Sequence, residues 1–132
     1  MPELEYFVVA EAHAVDRTSN SISIYNVLNE LKYDRFPVDI PRLVFVSCWI
    51  SSPEEVSQRL NSQIAYRIDL PDLPTTPFRM NFTSEAEFQN LIAEFFGLRV
   101  NAPTTFKIEL LFNNEHKAYH TIKVMESVSV AP

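Results

Sequence analysis

The sequence predicts an all-β protein, an antiparallel immunoglobulin-like β-sandwich of about seven strands. Three observations indicate this fold: segments of alternating polarity recur, clusters of turn residues separate them, and Trp49 falls on the third predicted strand, where such folds often bury a tryptophan. Of the 132 residues, 46% are hydrophobic and 21% are charged, a globular balance. Residues 1–132 are therefore expected to form a single domain, with a loose tail at 126–132.

The first two strands are predicted to form a hairpin. Residues 6–15 and 21–25 alternate between apolar and polar side chains, and the polar cluster 16–20 supplies the turn between them. Two prolines in the following segment, 26–41, argue against a central strand there, because proline lacks the N–H that a ladder needs. We expect that segment to be a strand end followed by a loop that packs on the core.

The next strand, 42–51, is the most hydrophobic of the chain and is apolar on both faces. One face carries Val44, Val46, Cys48 and Ile50, and the other carries Leu43, Phe45 and Trp49. An antiparallel sheet with one solvated face does not produce this pattern, so the outer side needs a cover. Two covers remain open: the preceding loop, through Leu31, Tyr33 and Phe36, or a second subunit or protein partner.

A short helix is predicted in 53–60 or in 85–96. A serine N-cap, a proline and two glutamates begin the first of these segments. In the second, Ser84 and Glu87 match a capping box and the apolar residues follow helical spacing. The same residues also fit a strand at period two, so both interpretations of 85–96 stay open. The remaining strands are predicted at 64–70, 78–83, 106–112 and 118–124.

Several segments together resemble an uncharacterised family of small bacterial proteins. These segments are EYFVVAEA at 5–12, DRTSN at 16–20, IYNVL at 24–28, FPVDIPRL at 36–43 and the hairpin at 106–120. The resemblance spans nearly the whole chain and implies a bacterial, β-rich domain of unknown function. It supplies no catalytic residue. It also implies a strand followed by a turn over 90–100, and Thr104 replaces the glycine that the family usually has before the strand at 106.

Charge and composition exclude several classes of function. The net charge is −6, the pI is near 5.0, and lysines and arginines are scattered singly, which argues against a nucleic-acid partner. No apolar run reaches the length of about 18 residues that a membrane span needs. The N-terminal residues lack the basic region and cleavage site of a signal peptide. With Cys48 as the single cysteine, we expect a cytoplasmic protein.

No motif of the chain predicts an enzyme, and no catalytic, cofactor-binding or metal-binding residue is assigned. His116 and His120 are expected on one strand face about 13 Å apart, too far to share an ion. His13 has no predicted carboxylate or cysteine to complete a site. Asp69 and Asp72 flank a turn but are too few for a calcium loop. A single glycine excludes a phosphate-binding glycine loop, and no nucleophile elbow occurs.

The sequence therefore favours a non-catalytic, cytoplasmic protein-interaction or self-association module that needs no cofactor. It would bind a protein partner or a second copy through a sheet face or an edge strand. The predicted interface residues are Phe45, Trp49, Leu43, Tyr25 and Tyr119. The alternative is a sandwich that binds a small ligand or a carbohydrate, which requires an aromatic pocket. A hydrolase or metalloenzyme ranks third, because it requires a histidine and a carboxylate to meet in a cleft.

Overall fold

The computed structural model describes residues 1–19, 21–71 and 77–127. Within these residues the chain forms nine β-strands and one short helix, which confirms the all-β prediction. The elements are β1 Glu3–Val15, β2 Ile22–Val27, β3 Glu30–Tyr33, β4 Val38–Ile50, α1 Pro53–Gln58, β5 Asn61–Asp69, β6 Phe78–Thr83, β7 Phe88–Val100, β8 Thr104–Phe112 and β9 Glu115–Glu126. The count exceeds the predicted seven because β3 and β7 are strands as well.

The strands form two sheets. The first sheet has four strands in the order β2-β1-β4-β7, and the second has five in the order β3-β9-β8-β5-β6. Every pairing is antiparallel except that of β3 with β9, which is parallel. An immunoglobulin-like order, in which strands ABED face CFG, is not confirmed by these two sheets. Strand β9 continues to Glu126, and 128–132 lie outside the described residues.

The two sheets share one hydrophobic core. The ring of Phe45 on β4 lies 4.9 Å from that of Tyr66 on β5, and the ring of Trp49 lies 5.0 Å from that of Phe112 on β8. All four side chains are fully buried. Aromatic residues bury large areas, and pairs at these separations add favourable ring contacts. The inner faces of β4, β5 and β8 therefore hold the two sheets together.

A bend in the β4–β7 pair changes the side that each strand turns to the core. Ile40 and Leu43 are both core residues although three positions separate them, whereas regular strand side chains alternate with period two. Pro41 and Gly97 lie opposite each other between the paired residues on either side of this break. Gly97 adopts φ +72°, which glycine reaches at no steric cost. The only glycine of the chain therefore marks the bend.

Helix α1 confirms the prediction of a short helix in 53–60. Ser52 caps it: the Ser52 Oγ accepts a hydrogen bond from the Glu55 backbone N–H at 3.2 Å, and the Glu55 carboxylate accepts one from the Ser52 N–H at 2.8 Å. Arg59 ends the helix in the left-handed conformation, with φ 50°. No helix in the described part of the chain is long and apolar enough to cross a membrane.

The helical alternative for 85–96 is wrong, because β7 occupies most of that segment. The capping-box residues have other partners: the buried Ser84 hydroxyl accepts a hydrogen bond from the Ser51 hydroxyl at 3.1 Å, and the Glu87 carbonyl accepts one from the Ser51 N–H at 2.8 Å. Strand β7 then pairs with β4 from Phe88 to Val100. Pairing along this whole length outweighs the local helical spacing.

We predict that Tyr66→Phe stabilises the fold. The Tyr66 hydroxyl is buried and has no hydrogen bond of good geometry within the described residues. Burial raises its pKa from 10.0 to about 12, although the nearby Ser47 hydroxyl offsets part of that rise. Since an unsatisfied buried hydroxyl costs free energy, its removal is expected to raise the free energy of unfolding by about 1 kcal/mol in urea titrations at pH 7.

The same variant has a pH signature. The unfolded wild-type chain loses the Tyr66 proton near pH 10, whereas the folded chain retains it to about pH 12. Wild-type stability is therefore expected to fall as the pH rises through 10, and Tyr66→Phe removes that contribution. A variant less stable than wild type at pH 7 would instead show that the hydroxyl has a hydrogen-bonding partner.

Candidate functional site

Three of the predicted interface residues lie in the core. Leu43, Phe45 and Trp49 are fully buried within the chain, and the Trp49 Nε1–H donates to Ser47 Oγ at 2.9 Å. The expectation that Phe45 and Trp49 point outward is therefore wrong. Because both faces of β4 are apolar, alternation alone does not tell which of them meets the second sheet.

The outer face of β4 is covered by the chain itself. Strand β1 stops pairing with β4 after Ala10, which lies opposite Val44. Beyond that point the hairpin, here called the arm (residues 11–19 and 21–26), crosses β4 and reaches β7. The His13 Nδ1 atom lies 3.7 Å from Oε1 of Glu94 on β7. The arm residue Val15 also lines a cleft of about 270 Å³ together with Ile92 of β7.

The arm explains why β4 is apolar on both sides. Val44 and Val46 face away from the main core but have no exposed surface. The loop cover predicted from the sequence is wrong, since Leu31, Tyr33 and Phe36 pack against the main core instead. The arm leaves the sheet where Asn26 adopts φ 55° and its amide donates to Glu11 Oε2 at 2.8 Å. A small second core therefore lies between the arm and β4.

A polar cluster lies at the edge of this second core. Oε1 of Glu94 lies 3.7 Å from the His13 Nδ1 atom and 3.4 Å from Nη2 of Arg42. The Arg42 Nε and the His13 Nδ1 are buried without a hydrogen bond in the described chain. These separations exceed good hydrogen-bond lengths, so the cluster is a loose polar contact in which Arg42 and Glu94 form the ion pair. In 1–19, 21–71 and 77–127 no three His, Cys, Asp or Glu side chains are grouped to hold a metal.

The other two histidines lie apart from this cluster and from each other. A β-bulge between Leu110 and Leu111 shifts the register of β9, so that His116 and His120 lie on opposite faces and not on one face as expected. His120 Nε2 lies 2.6 Å from the Leu28 carbonyl oxygen, and His116 is exposed. Asp69 is exposed on β5, and its predicted companion Asp72 lies outside the described residues.

The two remaining interface candidates are exposed but lie on different sheets. Tyr25 on β2 is 50% exposed and Tyr119 on β9 is 54% exposed. Tyr119 lies among charged neighbours, with the Lys107 ammonium 4.4 Å from the centre of its ring. The two tyrosines therefore do not combine into one aromatic surface.

A site that the sequence interpretation missed is the free edge of β7. Strand β7 has 13 residues and, in the described part of the chain, pairs with β4 alone. Phe88 and Phe96 on this strand are 69% and 65% exposed, more than any other phenylalanine of the described chain. Natural edge strands are usually short or protected by lysine, proline or charge. Between Phe88 and Phe96, which we call the β7 edge, the only charge is Glu94.

One face of the β7 edge carries both exposed phenylalanines. Phe88, Asn90, Ile92, Glu94 and Phe96 pair with every second residue of β4 and therefore share the outer side of the first sheet. The strand interpretation of 85–96 contained this alternation. The position of β7 at the edge of a sheet depends on the order of the strands, which the local pattern does not specify.

A larger cleft lies where the arm leaves the first sheet. Its volume is about 470 Å³, and its lining residues are Glu11, Ala12, Leu28, Leu31, Tyr33, Ile40, Pro41 and Arg42. The lining is mostly apolar, with one aromatic ring and two charged side chains. Burial raises the pKa of Tyr33, and the nearby Glu11 carboxylate raises it further. This cleft is concave and apolar with a few polar groups, as small-molecule sites are.

Comparison with known proteins identifies one family. The family model of DUF6941, described as a family of unknown function, matches residues 5–125. Neither a curated protein nor a solved structure matches the chain. The match covers nearly all of the described strands.

Proposed function

The chain belongs to the DUF6941 family of unknown function, and we propose that it is a non-catalytic module that binds a protein segment in extended conformation along the β7 edge. The observation that carries the proposal is the long strand β7, which pairs on one side only in the described part of the chain. The backbone N–H and C=O groups on the other side are available to an added strand. Strand addition of this kind is a recurring mode of peptide recognition.

The side chains of the β7 edge fit such a partner. An added strand gains main-chain hydrogen bonds, and exposed aromatic side chains supply apolar contact and specificity. Phe88 and Phe96 lie at the two ends of the edge and are the most exposed phenylalanines of the described residues. Each sheet has an ion pair on its outer face, Arg67–Glu109 at 2.8 Å on the second and Arg42–Glu94 at 3.4 Å on the first. The two exposed phenylalanines are therefore the feature that favours the β7 edge.

The cellular setting of this proposal is the cytoplasm of a bacterium. Cys48 is the single cysteine, and burial raises the pKa of its thiol, with a further rise from the nearby Glu5 carboxylate, which disfavours the reactive thiolate. A chain without disulfides suits a reducing compartment. Fractionation of the host cell tests this part of the proposal, and recovery of the protein outside the cytoplasm contradicts it.

The double variant Phe88→Lys/Phe96→Lys tests the proposed function. Peptides of about ten residues, the length of a long strand, are first selected from a displayed random library against the wild-type protein. Lysine on an edge strand disfavours strand addition, so the variant is expected to bind the selected peptides at least about tenfold more weakly. The measurement is a titration by fluorescence anisotropy, and hydrogen exchange shows whether β7 amides become protected when the peptide binds.

Tyr25→Ser/Tyr119→Ser is the matched control, because it removes two exposed aromatic residues that lie off the β7 edge. Its affinity for the peptides is expected to equal that of the wild type. Peptides that bind the lysine variant as tightly as the wild type, or that lose affinity only in the tyrosine variant, would contradict the proposal.

A second candidate function is small-ligand binding, which the cleft of about 470 Å³ beside Tyr33 favours. Its apolar lining suits a compact apolar molecule, and the side chains of Arg42 and Glu11 in the lining are able to bind polar groups of that molecule. NMR with a fragment library separates the two functions. Chemical-shift changes confined to residues such as Leu31 and Ile40 would favour the ligand, and changes along β7 would favour strand addition.

A further inference from the structure

We propose that the strand added to the β7 edge is β7 of a second copy of this chain, in antiparallel orientation with Ile92 on the two-fold axis. This inference rests on the proposed function and names its partner. In this register Phe88 lies opposite Phe96 of the second copy, Asn90 lies opposite Glu94, and Ile92 lies opposite itself. Both exposed phenylalanines are thereby paired, and each copy contributes the same surface, as a two-fold interface requires.

The outer side chains make this register favourable. Directly opposed residues of an antiparallel pair share a face and lie about 5 Å apart, so each Phe88 packs against a Phe96. Each Glu94 carboxylate faces the Asn90 amide, which is able to donate a hydrogen bond to it. The single charge of the β7 edge therefore meets no like charge. On the inner side Leu91 lies opposite Ala93, and both already pack against the main core.

Other two-fold registers on the same strand are worse. With the axis at Glu94, the two carboxylates oppose each other, which is destabilising. With the axis at Asn90, Phe96 lies opposite Ser84, which precedes β7 and is buried. Of the possible axes, only the one at Ile92 pairs both phenylalanines with each other.

The bend at Gly97 sets the length of the paired segment. Beyond it the side chains of β7 alternate in the opposite phase, since Gly97 adopts φ +72° and the side turned to the core changes there. The pairing thus runs from Phe88 to Phe96, about 30 Å at roughly 3.4 Å per residue. It joins the two first sheets into one continuous sheet across the dimer.

A charge swap within one chain tests the register. Light scattering is expected to give the wild type twice the 15.2 kDa mass of one chain. Phe88→Lys/Phe96→Lys places lysines opposite each other at both ends and is expected to be monomeric. Phe88→Lys/Phe96→Glu alters the same two exposed positions but places Lys opposite Glu, so it is expected to dimerise again. Circular dichroism confirms that both variants are folded.

Cysteine cross-linking tests the two-fold axis independently, in a Cys48→Ser background. Ile92→Cys places a thiol opposite itself and is expected to form disulfide-linked dimers on mild oxidation. In Asn90→Cys the two thiols lie about 13 Å apart along the strands, so little cross-linking is expected. Equal cross-linking at both positions would overturn the register.

The outcomes for the partner and for the proposed function are distinct. A monomeric wild type at the highest soluble concentration, or a dimer that persists in the double-lysine variant, overturns the self-pairing. If the selected peptides still bind the β7 edge of such a protein and bind the lysine variant more weakly, the proposed function stands and its partner is another protein. If the lysine variant leaves the peptides unaffected, the proposed function fails as well.

Discussion

Trp49→Ala is expected to lower the free energy of unfolding by about 3 to 5 kcal/mol, the range for removing a large buried aromatic side chain. Trp49 is fully buried, and its ring lies 5.0 Å from that of Phe112 and 5.7 Å from that of Phe82. The substitution leaves a cavity between the two sheets. It also removes the indole N–H that donates a hydrogen bond to the buried Ser47 hydroxyl at 2.9 Å. Both effects act in the same direction.

Urea denaturation followed by far-UV circular dichroism measures this loss, because the variant has no tryptophan fluorescence. Tyr25→Ala is the control, since it also truncates an aromatic residue but one that is 50% exposed. It is expected to lower the free energy of unfolding by about 0.5 kcal/mol. A Trp49→Ala protein that is as stable as the control would mean that Trp49 lies on the surface. In that case the sequence-based interface prediction would regain its basis.

Period-two alternation predicted the strands well because most of them have one face on the main core. The seven predicted strands are all present, and the predicted helix at 53–60 begins with its serine cap. Alternation failed where both faces of a strand are buried. On β4, Val46 and Phe45 are equally apolar and equally inaccessible, so the pattern contains no information about which side faces the second sheet.

The uncertainty over 85–96 had a different origin. The helical spacing and the capping-box residues are real local signals, but Ser84 and Glu87 bond to Ser51 instead of to a helix terminus. Strand pairing is non-local, and β7 gains a partner along its whole length because β4 is equally long. In a chain with such a pairing available, tertiary context overrides local propensity.

The candidate site was the least predictable part. Phe88 and Phe96 are exposed because β7 is an edge strand of the first sheet. No local sequence pattern predicts the order of the strands in a sheet. The path of the arm is equally non-local. His13 and Glu94 are 81 positions apart, and neither has a neighbouring motif that indicates the contact.

Val46→Asp is expected to lower the free energy of unfolding by about 3 kcal/mol or more, because the path of the arm covers this position. Val46 lies on the outer side of β4 with no exposed surface, so an introduced carboxylate is buried without a partner. Burial raises the pKa of such a carboxyl in the folded state. The variant is therefore expected to regain part of its stability as the pH falls toward about 4, where the unfolded carboxyl is also protonated.

Val27→Asp is the matched control, since Val27 is a strand valine of the same sheet that is 44% exposed. There the carboxylate stays hydrated, and the expected cost is below about 1 kcal/mol with little dependence on pH between 4 and 7. The contrast between two valines of one sheet isolates the effect of the arm. If Val46→Asp costs no more than Val27→Asp, water reaches β4 and the arm does not lie over it in solution. The two apolar faces of β4 would then need a different cover, and a partner on the outer face of the first sheet would replace the β7 edge as the leading candidate.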